Sequence, residues 1–178
     1  MLSKLKQGWR RSAVMFVGVI AALGLTAGAA VALTTAHSAT RMTQFQARTG
    51  DTAWTGAGTA WTDVPGAAIA FSVPSGTSRM FQAEFTAESQ CLGGGWCSAR
   101  VVIVNNATGA TTELRPIVGT DFAFDSPADT WESHAMNRTS YYWGAGSYTV
   151  KVQVALVAGA TYFRVDDWDY AVTAYAFS

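Results

Sequence analysis

Beyond residue 60 the chain alternates apolar and polar side chains over long runs, and this pattern constrains its fold more than any other feature. In "RMFQAEFTAE", Phe81, Ala83, Phe85 and Ala87 fall on one side, with Met80, Gln82, Glu84, Thr86 and Glu88 on the other. Period two is the period of a β-strand, and one apolar face opposite one polar face marks a half-buried antiparallel strand. "GSYTVKVQVALVA" repeats it, with Tyr148, Val150, Val152, Val154 and Leu156 inward and Thr149, Lys151 and Gln153 outward. "DDWDYAVTAYAF" does so again, with Trp168, Tyr170, Val172 and Ala174 inward. "GAAIAFSV", "CSARVVIVN", "TTELRPI" and "TWESHAMNRTSYY" are further strand candidates. Turn signals punctuate them at Pro74-Ser75-Gly76, Asn105 to Gly109, Ser126-Pro127, Gly144 to Gly146 and Ala158-Gly159. The expectation for residues 60–178 is an all-β domain, an antiparallel β-sandwich of jelly-roll type with about eight strands. Residues 40–59, rich in Thr, Gly and Ala, read as a linker or a loosely held first strand.

Residues 1–39 follow a different rule. Lys4, Lys6, Arg10 and Arg11 precede Ser12 to Leu33, a run of 22 residues without a charge. This pattern predicts one N-terminal hydrophobic helix, either a signal peptide or a membrane anchor with its basic end in the cytoplasm. The run is long enough to span a bilayer. Ala30-Val31-Ala32 and the later pair Ala36 and Ser38 offer cleavage points, which favours the signal-peptide reading. The protein is therefore expected to be secreted or anchored on the outer side of the plasma membrane, with membrane contact only through this segment. Without those four basic residues, eight basic residues face twelve acidic ones, a net charge of −4. Such a surface repels phosphate backbones, so nucleic acid is not an expected partner.

Cysteine usage agrees with export. Cys91 and Cys97 are the chain's two cysteines, separated by "LGGGW", where Gly93 to Gly95 allow the chain to reverse. The spacing predicts a disulfide that fixes a loop; it is not the C-x-x-C of a redox pair, and no further soft ligand suggests a metal.

The densest group of titratable side chains is "DFAFDSPADTWESH", Asp121 to His134. In a strand, Phe122 and Phe124 point inward, Asp121, Ala123 and Asp125 outward, and Pro127 sets a turn. Solvated carboxylates and turn caps account for these acids most simply. The sharper reading is calcium, held by Asp125 and Asp129 with Asp166, Asp167 or Asp169 arriving from another strand. No other cofactor is implied, and zinc is disfavoured because His134 is the only histidine beyond the leader. Glu132, His134, Met136 and Arg138 share one face, and Ser133 is turned away from His134. A Glu132–His134 pair could act as a general acid or base, but a surface ion pair is the commoner outcome. No catalytic residue is assigned.

Aromatic residues carry the other functional hint. Alternation means that Tyr141, Tyr142 and Trp143 cannot all face the core, so Tyr142, or else Tyr141 and Trp143, is exposed beside a glycine-rich loop. Trp96, inside the cysteine loop, is a second candidate. Exposed rings stack on sugars or anchor protein partners, although rings at sheet ends also close open core edges.

The segments "FTAESQC…WCSARVVIV", "GTDFAFDS", "WESH", "GSYTVKVQV" and "FRVDDWDY" together resemble a group of small exported β-sandwich proteins of high-GC Gram-positive bacteria, over about residues 60 to 175. "GSYTVKVQV" followed by a last strand also resembles the late strands of tumour-necrosis-factor/C1q-like jelly rolls and of sandwich carbohydrate-binding modules. The resemblance implies a sandwich outside the cytoplasm and carries over no catalytic residue. The leading functional expectation is a non-catalytic recognition module that binds glycan or an extracellular protein through the loop aromatics Tyr141, Tyr142, Trp143 and Trp96 together with acidic side chains. The alternatives are a structural cell-envelope protein without a discrete ligand and a glycan hydrolase that uses acidic residues.

Overall fold

A computed structural model describes residues 39 and 41–176, with 57 and 129 excepted. The expected N-terminal helix and the cleavage points before residue 39 lie outside the described residues. Ala39–Ser178 forms one compact unit. Its strands are β1 (Arg41–Gly50), β2 (Trp54–Gly56), β3 (Thr62–Val73), β4 (Arg79–Gly93), β5 (Trp96–Asn105), β6 (Thr111–Glu113), β7 (Ala123–Asp125), β8 (Glu132–Trp143), β9 (Gly146–Val157) and β10 (Ala160–Ala176). The only helical element among the described residues is a 3-10 turn at Gly119–Asp121.

All paired strands are antiparallel and form two sheets. The first runs β1-β10-β4-β8, with β2 extending β1's side of β10; the second runs β3-β9-β5-β6, with β7 beside β6 on β5. If β1 with β2 and β6 with β7 each count as one interrupted strand, eight positions remain. Six of the nine connections cross between sheets, the exceptions being β1 to β2, β5 to β6 and β6 to β7. This wrapping of two four-position sheets is a jelly roll. Residues 40–59 contribute β1 and β2, and β1 pairs with β10 from Arg41↔Ala176 to Gly50↔Trp168.

The core follows the alternation. Phe81, Phe85, Phe163 and Tyr170 of the first sheet and Ile69, Val101, Ile103, Val150 and Val152 of the second are all fully buried. Phe85 lies 5.7 Å from Phe124 and 6.3 Å from Tyr170, ring centre to ring centre. Side chains of this size each contribute about 1.5–3 kcal/mol when fully buried, so the facing sheets supply most of the stabilisation. Two residues expected to point outward are buried: Met80, beside the irregular pairing of β4 with β8, and Gln153, which receives Arg100 Nε at 3.0 Å and Nη2 at 2.8 Å while donating to Asp63 Oδ1 at 2.7 Å. Lys151 Nζ also donates to Asp63, at 2.7 Å. Burial acts to raise the Asp63 pKa, but these two hydrogen bonds and the Lys151 charge outweigh it and hold the carboxyl below its usual range.

Cys91 and Cys97 form the expected disulfide. The bond joins β4 to β5 and therefore ties one sheet to the other. The glycines between them serve close approach as well as reversal: Gly93 has φ +112°, and a Cβ at Gly95 would collide with the Val157 carbonyl. Tyr170 is fully buried, and among the described residues its hydroxyl has no hydrogen-bond partner. Burial pushes its pKa far above the usual tyrosine range.

Two stability measurements check this picture. Replacing both cysteines by alanine should cost about 2 kcal/mol in urea unfolding, the loop-closure entropy of so short a ring; no loss would mean that the bridge does not constrain the unfolded chain. Tyr170→Phe should leave stability unchanged or raise it by about 1 kcal/mol, because it removes a buried hydroxyl that nothing accepts. A clear loss would show that the hydroxyl has a partner.

Candidate functional site

The two sheets leave one long side of the sandwich where β8, at the edge of the first, faces β6 and β7, at the edge of the second. Tyr141, Tyr142 and Trp143 lie at one end of this side, and Asp125, Glu132 and His134 lie at the other. Because Ser89 of β4 pairs with Glu132 and Arg79 pairs with Trp143, the start of β8 lies at the disulfide end and its last residues lie at the far end.

At the far end, β8 carries a bulge. Met80 pairs with Tyr142 but Gln82 pairs with Thr139, so three steps along β8 match two along β4. The extra residue breaks the alternation, which is why Tyr141 and Tyr142 are both exposed, 49% and 46%. Strict alternation allowed only one of these consecutive rings outward. Trp143 turns in and packs edge-on against Tyr148, with ring centres 5.2 Å apart. Beside Tyr141 and Trp143 is a hollow of about 70 Å³ lined by Ile103, Leu114, Arg115, Ile117 and Ser140. The Arg115 guanidinium lies 3.9 Å from the centre of the Tyr141 ring. Its Nε is buried without a hydrogen-bond partner among the described residues.

The segment after β6 reaches this position by crossing the open side. Arg115 N donates to Thr139 O at 2.6 Å and Thr139 N returns a bond to Arg115 O at 3.0 Å, which fastens the segment to β8. Glu113 organises the rest: its Oε1 accepts from Val118 N at 3.0 Å and Gly119 N at 3.3 Å, while its Oε2 lies 3.6 Å from Arg100 Nη1. Arg138, only 5% exposed, packs its guanidinium 4.3 Å from the centre of the Phe122 ring. Burial lowers the pKa of both arginines, and the Glu113 charge opposes that shift. Trp96 serves the same segment as a strut: it is half-buried, and its Nε1 donates to Thr120 O at 2.8 Å. It is not the open ring expected from the sequence, and it lies at the disulfide end, away from Tyr141 and Tyr142.

At the disulfide end, Asp125, Glu132 and His134 converge. His134 Nε2 is 3.5 Å from Asp125 Oδ1 and 3.5 Å from Glu132 Oε2. Asp125 is 3% exposed and accepts a hydrogen bond from Ser89 Oγ at 2.7 Å. The expectation that Asp125 points outward is therefore corrected. The pairing of β7 with β5 slips between Cys97↔Asp125 and Ser98↔Ala123, so the consecutive residues Phe124 and Asp125 are both buried. Glu132, His134, Met136 and Arg138 do share a face: Met136 and Arg138 are buried on it, while Glu132 at the strand's start stays half-exposed and makes the expected ion pair with His134. Ser133 turns away, opposite the exposed Glu88. Ser89 is fully buried and gives its proton to a carboxylate rather than to the imidazole, so the group lacks an activated serine.

Among the described acids considered for calcium, Asp125 is not brought together with Asp166, Asp167 or Asp169. Asp166 pairs with Glu88 on the outer face of the first sheet, whereas Asp125 reaches Ser89 on the inner face. Asp167 occupies a bulge of β10 with φ +41°, its amide donating to Asp166 Oδ1 at 3.0 Å, beside a shallow groove with Asp51 and Asp169. Asp129 lies outside the described residues. Sequence reasoning found Glu132 and His134 through their shared face but missed Asp125 as their neighbour, because that contact depends on an irregular register.

No protein-family profile matches the chain, and no curated protein matches it. Among solved structures it is similar to the VP2 subviral particle of infectious bursal disease virus, with 10% identity, a TM-score of 0.42, and coverage of 79% of this chain and 34% of that one. Similar values relate it to the Gx strain of that virus, with 14% identity, a TM-score of 0.41, and coverage of 79% and 34%. Dimeric latent PorU from Porphyromonas gingivalis follows at 9% identity and a TM-score of 0.31, over 79% of this chain and 14% of that one. The chain thus spans about a third of the viral proteins' length. The jelly-roll assignment rests on the strand order given above.

Glu113→Gln should destabilise the domain by roughly 3 kcal/mol, because it leaves two poorly solvated guanidinium groups without their anion. Urea unfolding checks this; an unchanged midpoint would remove Glu113 from its organising role.

Proposed function

We propose that this chain is an exported, non-catalytic recognition module that binds glycan at the far end of β8. One observation carries the reading: the β8 bulge turns two consecutive tyrosines outward beside a hollow walled by apolar side chains and by Arg115. Sugar rings present flat C–H faces that pack on aromatic rings, and their hydroxyls need donors and acceptors at the rim. Arg115 braces one face of Tyr141 and lines the hollow, so its guanidinium offers N–H donors to a ligand oxygen bound there. The bracing also reduces the ordering cost of binding, because the ring is held before the ligand arrives. Export is supported by the N-terminal pattern and by the disulfide, which is stable in oxidising compartments.

The test is a glycan array probed with the full chain and with a Tyr141→Ala, Tyr142→Ala double variant. Binding to at least one glycan class is expected, weakened about tenfold or more in the variant, since each lost aromatic contact removes about 0.5–1.5 kcal/mol beyond its buried area. The variant should keep its thermal midpoint to within a few degrees, because exposed rings contribute little to folding. Absence of binding to any glycan, or equal binding by the variant, would contradict the proposal. In the first case, an extracellular protein partner becomes the reading to pursue.

A further inference from the structure

We infer that Asp125, Glu132 and His134 form a site for a zinc-class divalent cation that clamps the two sheets together at the disulfide end. Asp125 belongs to β7 of the second sheet, whereas Glu132 and His134 belong to β8 of the first. One ligand atom from each lies within 4.8 Å of the others, the only such group among the described residues.

The spacing matches a metal better than it matches a hydrogen-bonded triad. Zinc bonds to nitrogen and carboxylate oxygen of about 2.0–2.2 Å set neighbouring ligands of a tetrahedron about 3.4 Å apart. His134 Nε2 stands 3.5 Å from each carboxylate oxygen. These separations are long for charge-assisted hydrogen bonds, which run at about 2.7–2.9 Å. Independently, Nε2 is itself buried and has no hydrogen-bond partner among the described residues, although it is aimed between two carboxylates. Asp125 is buried with no lysine or arginine paired to it among the described residues, and a buried carboxylate of that kind calls for a cation.

The donor set selects the ion. Calcium takes six to eight oxygens, whereas two carboxylates and one imidazole suit a borderline ion such as zinc. Second contacts hold the ligands in place. Ser89 Oγ fixes Asp125, the Phe124 ring packs 5.5 Å from the imidazole, and Ala128 N bonds to Cys91 O at 3.2 Å, which pins the loop between Asp125 and Glu132 to β4. A tetrahedral ion held by these three ligands would take water as its fourth. The site lies at the other end of β8 from Tyr141 and Tyr142, so it stands or falls separately from glycan binding.

Titration of the metal-stripped full chain with Zn²⁺ alone, followed by calorimetry and thermal unfolding, tests this directly. One equivalent should bind, and excess zinc should raise the midpoint by roughly 5–10 °C. His134→Gln should abolish that equivalent, and Glu132→Gln, at a half-exposed side chain, should weaken it about tenfold or more. Absence of binding, zinc binding that survives in both variants, or a stabilising response to Ca²⁺ but not to Zn²⁺ would overturn the proposal.

Discussion

The structure depends on the burial of alternate side chains between two facing sheets. Each long strand gives one face to a shared interior. The central pairs β4–β10 and β5–β9 supply fully buried Phe81, Phe85, Tyr170, Val101 and Val152. A sandwich built this way has a cost at its sides, where no strand closes the gap between the sheets. Here the gap between β8 and β6–β7 is filled by side chains that are unusual in an interior: Arg138, Glu113, Asp125 and His134. Each needs an electrostatic partner, and the search for partners shapes the segments around them. Glu113 gathers Arg100 and the Val118 and Gly119 amides, which fixes the crossing segment and so positions Arg115 under Tyr141.

The same open side therefore yields both candidate surfaces for one physical reason. Polar groups placed between sheets are oriented by packing, so they are preorganised in a way that side chains on the solvated outer faces are not. At one end the product is a braced aromatic rim. At the other it is a set of three ligands drawn from two sheets, next to a disulfide that joins the same two layers through β4 and β5. The acids on the outer face, Glu88 and Asp166 among them, have no comparable surroundings.

Much of the fold was legible because alternation is a local property. Phe81, Ala83, Phe85 and Ala87, like Tyr148, Val150, Val152, Val154 and Leu156 and like Trp168, Tyr170, Val172 and Ala174, point where period two places them. The disulfide followed from two cysteines and three glycines. What escaped sequence reasoning lies at irregularities, where one extra residue reverses every later assignment. The β8 bulge exposes Tyr141 and Tyr142 together, and the slipped pairing of β7 buries Asp125 beside Phe124. Neither is written in the local pattern, because each is settled by the partner strand: β4 in the first case and β5 in the second. Trp96 is a milder example, since its strut role depends on a carbonyl 24 positions along the chain.

Native-state amide hydrogen exchange tests the central claim most directly, because it reads which backbone segments open only with the whole domain. The slowest amides should be those of the central strands, at Phe81 to Phe85 of β4, Val101 to Ile103 of β5, Val150 to Val154 of β9 and Tyr170 to Ala174 of β10. The edge segments, β6, β7 and residues 115–122, should exchange through cheaper local openings. If protection were instead greatest along that edge, or uniformly weak across β4 and β10, the interior formed by alternate side chains would not be what holds this domain together.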